Sequence, residues 1–334
     1  MIGYYVHHQG DGHSTRAAAI ADRLGSEPVA GLSSRPRPDG WRGPWLELAR
    51  DDDPPVADGM DPTAGGALHW APRAHPGLRE RMAQIAAWVA THAPRLMVVD
   101  VSVEVTVLLR TMGVPTVVMG MPGARQDPPH QLAYRLADAI IAPWPGWAPV
   151  FGGGAPWRAK TYPVGAISRF DGRPRARARS TGGRRRVVVL SGRGGTALTL
   201  DMLAAAERAT PAWAWTTLGP PRTRWVEDPW PLLCDADVIV THAGQNAVAD
   251  VAAARRPAVV IAQTRPHDEQ LATARALHEA QLAVVPPRWP APKDWGAVLE
   301  AAMRLSGRGW ERWSSGAGAE RAAGVLGELA CAPL

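Results

Sequence analysis

The sequence predicts an α/β chain made of two open, mostly parallel sheets, each covered by helices on both faces. Three observations predict it. Short runs such as LMVVDV (96–101) and PTVVMG (115–120) are apolar on both faces, as strands between two helical layers must be. Such runs alternate with helical stretches twice over, before residue 168 and again after residue 186. Between them SRFDGRPRARARSTGGRRR (168–186) is dense in Arg, Gly and Pro and lacks an apolar period, so it reads as an interdomain linker. A length of 334 residues exceeds one typical core, and 46% apolar residues are enough for two.

The elements follow in order. The first half carries expected strands at 2–7, 28–32, 45–48, 96–101, 116–119, 139–142 and 161–164. Helical patterns fall at 14–24, 76–92, 103–112 and 131–137. Residues 50–72, rich in Asp, Pro and Gly, read as a long loop, with RDDDPP (50–55) as a solvated part of it. The second half restarts with the strand VVVLSG (187–192), the loop RGGT (193–196) and a helix over 198–209. A strand at 212–218, a helical turn near 228–233 and a strand at 237–242 come next. A helix from Gln245, a strand at 258–262, a helix from His267, a strand at 282–285 and closing helices complete the chain.

Composition excludes several classes. No early stretch has the shape of a signal peptide, and no run nears the roughly 18 apolar residues of a spanning helix. Two cysteines, Cys234 and Cys331, give neither a disulfide framework nor metal-ligand spacing. A cytoplasmic location is therefore expected. The formal charge of +6 is carried mainly by arginine, in keeping with an Arg-, Ala-, Gly- and Pro-rich bias across the whole chain. With no zinc finger, aromatic RNA-binding signature or basic helical stripe, no nucleic-acid partner is expected. Trp144, Trp147 and Trp157 sit among Pro and Gly, and either packing between the domains or peripheral contact with the inner membrane face would suit them.

Two stretches carry chemistry. HHQGDGHSTR (7–16) follows the first strand and opens the first helix, as a phosphate loop would. It has Gly10 and Gly12, but Thr15 holds the place of a third glycine, and His13 stands at the helix start. The second stretch is ADVIVTHAGQNAVADVAAARRPAVVIAQTRPHDEQLATARAL (236–277). Here a strand delivers the turn His242-Ala243-Gly244 into a helix whose first turn holds Gln245 and Asn246, an anion site by its free N–H groups. Asp250 lies within reach of sugar hydroxyls, and Asp268, Glu269 and Gln270 open the next helix. Such carboxylate and amide groups at strand ends suit a polyhydroxylated ligand. Asp235-Ala236-Asp237 has the D-x-D form of a metal motif, yet Asp237 opens a buried strand and structural capping is expected.

THAGQNAVADVAAARRPAVVIAQTRPHDEQLATARALHEAQLAVV (241–285) resembles the donor-binding segment of GT-B glycosyltransferases, and family 28 most of all. The resemblance implies the GT-B fold, two Rossmann-like domains facing a cleft. Residues 1–167 would bind the acceptor and residues 187–334 the nucleotide-sugar, with packing of the last helix back on the N-terminal domain left open. By motif position, Gly244, Gln245 and Asn246 would hold the diphosphate and Asp250, in the place of a glutamate, the ribose. Glu269 and Gln270 would contact the donor sugar, and His242 would lie against the phosphate. RWVEDPWPLLCDADVIVTH (224–242) is similar to the family's uracil pocket, which points to Trp225 and Val226. GAISR resembles the interdomain turn whose arginine reaches the diphosphate, here Arg169. SGRGGT resembles a glycine-rich loop and places Arg193, Gly194 and Gly195 at the cleft. GDGH is similar to the family's first glycine loop. The resemblance is weak over residues 26–94, and VMGMPGARQD (118–127) departs from the family's acceptor motif.

What the resemblance implies is an inverting transfer from a nucleotide-diphosphate sugar, UDP-linked ahead of TDP-linked, to a hydroxyl of a small-molecule or lipid-linked acceptor. No metal or other cofactor is expected, and nothing fixes the oligomeric state. The acceptor hydroxyl must lose a proton as it attacks, and a histidine titrating near neutral pH suits that task. His13 is the expected base, with Asp100 and Glu104, after the strand LMVVD, as rivals. A sugar-nucleotide 2-epimerase and a non-catalytic nucleotide-sugar binder are the alternatives.

Overall fold

The computed structural model describes residues 1–151, 155–175, 183–192, 197–222, 226 and 228–332. The chain divides into two compact units. One is made of residues 1–143, 151–164 and 319–334, the other of residues 144–150 and 165–318.

The first unit is built on a seven-stranded parallel sheet in the order β3-β2-β1-β4-β5-β6-β7. Its strands are β1 (Ile2–Val6), β2 (Val29–Ser33), β3 (Trp45–Glu47), β4 (Leu96–Asp100), β5 (Thr116–Met119), β6 (Ala139–Ala142) and β7 (Thr161–Pro163). Helices α1 (Asp11–Ala21), α2 (Pro76–His92), α3 (Val103–Thr111) and α4 (Pro128–Leu136) connect them. Every residue of β1, β2, β4, β5 and β6 is buried, which explains why these strands read as unbroken apolar runs. The sheet grows outward from β1 in one direction and from β4 in the other. The strand order reverses between these two, with Val6 opposite Asp100, and ligands of open α/β sheets bind at the strand ends of such a reversal.

The second unit repeats the plan with four parallel strands in the order β11-β10-β8-β9. These are β8 (Arg185–Leu190), β9 (Trp213–Leu218), β10 (Val238–Thr241) and β11 (Ala258–Val260). Around them run α5 (Leu200–Ala209), α6 (Trp230–Asp235), α7 (Gln245–Ala254), α8 (Glu269–Glu279) and α9 (Trp295–Leu305). Here the order reverses between β8 and β10. The last helix, α10 (Gly318–Cys331), falls almost wholly within the first unit, where Arg321 donates to the Val164 carbonyl at 2.8 Å.

Four local expectations are corrected. Helix α1 starts at Asp11, not Ser14, because Gly10 makes the turn at φ 85° and the Ser14 and Thr15 hydroxyls bond back to the Asp11 carbonyl. Helix α4 starts at Pro128, not 131, since Asp127 caps it and proline suits a first helical position. Helix α8 starts at Glu269, not His267, because His267 and Asp268 both take left-handed backbone, φ 58° and 52°. The expected strand at 282–285 shrinks to a single bridge, Val259 to Val284. Pro286 and Pro287 follow directly and cannot donate to a ladder.

Candidate active site

In the first unit, the site forms where β1 and β4 part. His13 and Arg16 lie one helical turn apart on α1 and both reach Asp100, the last residue of β4. Asp100 is fully buried. Its Oδ1 meets His13 Nδ1 at 2.8 Å and Arg16 Nη2 at 2.5 Å, while Oδ2 accepts from Arg16 Nε at 3.1 Å. Burial alone would raise the Asp100 carboxyl, but Arg16 and His13 outweigh it and hold it well below the usual carboxylate range. An ionised carboxylate offers no hydrogen, so the hydrogen shared by this pair sits on His13 Nδ1. Asp100 is thus not an independent base; it orients His13. Val101, next in the chain, takes φ 65°, a strained conformation for a β-branched residue and one that clusters at functional sites.

Glu104 is occupied elsewhere. It accepts from the backbone N–H of His69 (2.8 Å) and Trp70 (2.9 Å) and from Ser102 Oγ (2.9 Å), so it ties down a loop rather than serving as a base. Gly12 lies in the first turn of α1, and Asp11 beside it pairs with Arg35.

A cavity of about 260 Å³ opens in the same unit, and its lining includes His7, whose ring centroid is 5.6 Å from that of His13. His7, His8, Asp51, Asp52, His69 and His130 line it, together with Trp70, Tyr134 and the apolar Val118, Met119 and Met121. The solvated-loop expectation for RDDDPP therefore fails at Asp51, which pairs with the buried Arg81 at 2.9 Å. Burial chiefly pushes His7 down to about 3 and His130 down to about 4, so both are neutral at ordinary pH.

Two clusters bring metal-ligand types together, His69/Asp127/His130 and His8/Asp51/Asp52. In the first, Arg125 donates to His130 Nε2 at 3.1 Å, which leaves the His130 hydrogen on Nδ1, facing Asp127 at 2.7 Å. In the second, Arg81 donates to His8 Nδ1 at 3.3 Å, which leaves the hydrogen on Nε2. Neither His130 nor His8 then offers its facing nitrogen as a lone pair; the first group is hydrogen-bonded together, whereas in the second His8 Nε2 stands 3.5–3.6 Å from the carboxylates. Sequence reasoning missed these residues. Arg16, at i+3 from His13, and Asp127, ahead of two prolines, carried local signals; His8, Asp51 and His69 meet only through the tertiary fold.

In the second unit, β10 runs through His242, Ala243 and Gly244 into α7. Gly244 caps α7 with ordinary φ, −69°, and among the described residues nothing would crowd a Cβ there. Neither backbone conformation nor packing against the described residues demands glycine there. His242 Nδ1 donates to the Ile261 carbonyl at 3.1 Å, and burial lowers its imidazole below the ordinary value. Gln245 and Asn246 form the first turn of α7, and Glu269 that of α8. Asp268 precedes α8 without a side-chain capping bond. Gln270 is buried and accepts from the Gln263 N–H at 3.0 Å. Asp237 accepts from the Arg186 N–H (2.8 Å) and Asp235 from Arg186 Nη1 (3.1 Å), the structural use expected of that motif. Val226 is half-buried. Arg193, Gly194, Gly195 and Trp225 lie outside the described residues.

Asp250, expected at a ribose, is buried in α7. It accepts from Ser168 Oγ at 2.7 Å and stands 3.5 Å from Arg169 Nη2, so in the structure it positions that arginine. Arg169 is 41% exposed and lies over the Phe170 ring at 4.6 Å. Burial pushes the Asp250 carboxyl up to about 6, against the pull of Arg169 and Ser168. A folded value above the unfolded value of about 4 means that the native state binds the extra proton between them. Stability is then expected to fall by on the order of 1 kcal/mol per pH unit as pH rises from about 4 to 6. Asp250→Asn should flatten that slope in urea unfolding, and an unchanged slope would refute the assignment. Trp144 is buried in this unit, and Trp147 donates to the Arg312 carbonyl at 3.1 Å. In the first unit, Trp157 donates to Gln131 Oε1 at 3.1 Å. Among the described residues, no helix is long and apolar enough to cross a membrane.

Residues 228–288 match the glycosyltransferase family 28 C-terminal domain. Solved structures share the whole fold. The glycotransferase of kitacinnamycin aligns with a TM-score of 0.72 at 16% identity, over 98% of this chain and 98% of its own. The calicheamicin glycosyltransferase CalG4 gives 0.67 at 16% identity, over 99% of each chain. MurG of Acinetobacter baumannii gives 0.64 at 14% identity, over 98% of this chain and 99% of its own. No curated protein sequence matches the chain. Fold and matched segment together define a glycosyltransferase of the GT-B fold. Its segment 228–288 is of the family 28 C-terminal type.

Proposed function

We propose that this glycosyltransferase moves a sugar from a nucleotide-diphosphate sugar, UDP-linked ahead of TDP-linked, to a hydroxyl of a small-molecule acceptor, with inversion. The observation that carries the proposal is the His13–Asp100 pair at the strand reversal of the first sheet. His13 Nε2 takes the proton of the acceptor hydroxyl while its oxygen attacks the anomeric carbon. The new C–O bond forms on the face opposite the breaking bond to the diphosphate, and the electron pair leaves with the nucleotide. Asp100 stabilises the imidazolium that results. In the second unit, the N–H groups at the start of α7 and the Arg169 guanidinium are assigned to the diphosphate. Gln245, Asn246, Glu269 and Gln270 are assigned to the donor. No metal takes part in this scheme, and activity should survive EDTA. The cavity, with His7 and His130 neutral and an aromatic wall, supports an uncharged small-molecule acceptor.

A thermal-shift screen against UDP, TDP and their sugars tests the donor site. A ligand at 100 times its dissociation constant should add about 2.7 kcal/mol of stability; no shift with any of them would sink the assignment. Release of free nucleotide only when an acceptor is present marks a transferase, whereas turnover of donor alone would mark an epimerase.

A further inference from the structure

One corner of the first unit's cavity is polar and takes no part in the proposed chemistry. His8, just beyond β1, receives a hydrogen bond on Nδ1 from Arg81, and its own hydrogen is therefore on Nε2. The His8 side chain is only 7% exposed, and Nε2 has no hydrogen-bond partner among the described residues. The nearest carboxylate oxygens, of Asp51 and Asp52, stand off at 3.6 and 3.5 Å. All three residues line the cavity. An unpartnered buried donor on the cavity wall, with two acceptors beside it, fits a group set against that wall that both accepts and donates.

We propose that His8, Asp51 and Asp52 form a subsite for a second, uncharged hydroxyl of the acceptor, distinct from the one that is glycosylated. That hydroxyl accepts from His8 Nε2–H and donates to Asp51 or Asp52. Charge balance selects it over an ammonium or a phosphate. Asp51 is neutralised by Arg81 at 2.9 Å and Asp52 by Arg50 at 2.7 Å, so the corner carries no net charge to offer either ion. Trp70, Tyr134, Val118 and Met121 on the other walls call for an apolar, aromatic body. The acceptor class is thus a neutral aromatic molecule with at least two separated hydroxyls. This inference rests on the assignment of the first unit to the acceptor.

The test is calorimetric binding of two probes, 7-hydroxyflavone and 7,4′-dihydroxyflavone, to wild type, His8→Phe and Asp52→Ala, each checked for folding by its thermal transition. Wild type is expected to bind the dihydroxy probe about tenfold more tightly, as one added hydrogen-bonding group warrants. His8→Phe should erase the difference and leave the monohydroxy affinity within about twofold of wild type. Asp52→Ala, at a partly exposed position, should cut the preference at least about threefold and serves if His8→Phe does not fold. A wild-type preference below twofold, or variants that keep it in full, would overturn the subsite. So would failure to bind either probe while UDP still raises the melting temperature, an outcome that leaves the transferase proposal standing. Absence of any nucleotide shift would instead remove that proposal.

Discussion

His13→Ala is expected to lower turnover by about 10²- to 10⁴-fold while leaving the melting shift produced by UDP unchanged. The size follows from what one positioned base contributes, and the split follows from placement. His13 lies in the first unit, and every described residue assigned to the donor lies in the second. His13→Gln should do no better, since an amide nitrogen has no lone pair to take a proton. Near-normal turnover of His13→Ala at saturating acceptor would show that the base is elsewhere, and a lost UDP shift would show that His13 binds donor instead.

The second large effect concerns Asp100. Asp100→Ala is expected to cost about 3–5 kcal/mol in urea unfolding, because it leaves the Arg16 guanidinium buried without its counter-charge. It should also abolish most turnover in whatever fraction folds, since His13 loses the group that fixes its hydrogen on Nδ1. Arg16→Met with Asp100→Ala should recover much of the stability and none of the activity. That separates the fold's need for the pair from the reaction's need for the carboxylate. A destabilisation below about 1 kcal/mol for Asp100→Ala would mean that the pair is not closed in solution. The pH dependence carries the opposite sign to that of Asp250. Asp100 is held low, so its stabilisation is complete above its unfolded value of about 4 and is lost as pH falls below it. Asp250 is held high and works against stability as pH rises through 4 to 6.

The strands were legible in the sequence because both sheets are covered on both faces, which turns each buried strand into a short apolar run with little competing pattern. Thr116–Met119 and Ala139–Ala142 match their expected limits for this reason, as does the helix Pro76–His92, where His75 caps and proline leads. What the pattern could not show was positive φ. His267 and Asp268 look like the start of a helix until the backbone turns left-handed. The turns after β1 and β10 were legible as glycine-bearing strand–helix junctions. The pairings across them were not. His13 and Asp100 are 87 residues apart, Arg81 and Tyr5 are 76, and no local period links such partners. The same holds for Glu104, which looked free to act as a base and instead anchors the backbone at His69 and Trp70.

That anchored loop has a wider consequence. The chain between β3 and α2 adds no strand to the sheet, yet it brings Asp51, Asp52, His69 and Trp70 to the cavity. It lies within residues 26–94, where the resemblance to the family is weakest. The His13–Asp100 pair at the sheet and the cavity wall on a strand-free loop thus draw on separate stretches of sequence. Substitutions in the loop can alter that wall while His13, Asp100 and the strands beneath them stay as they are.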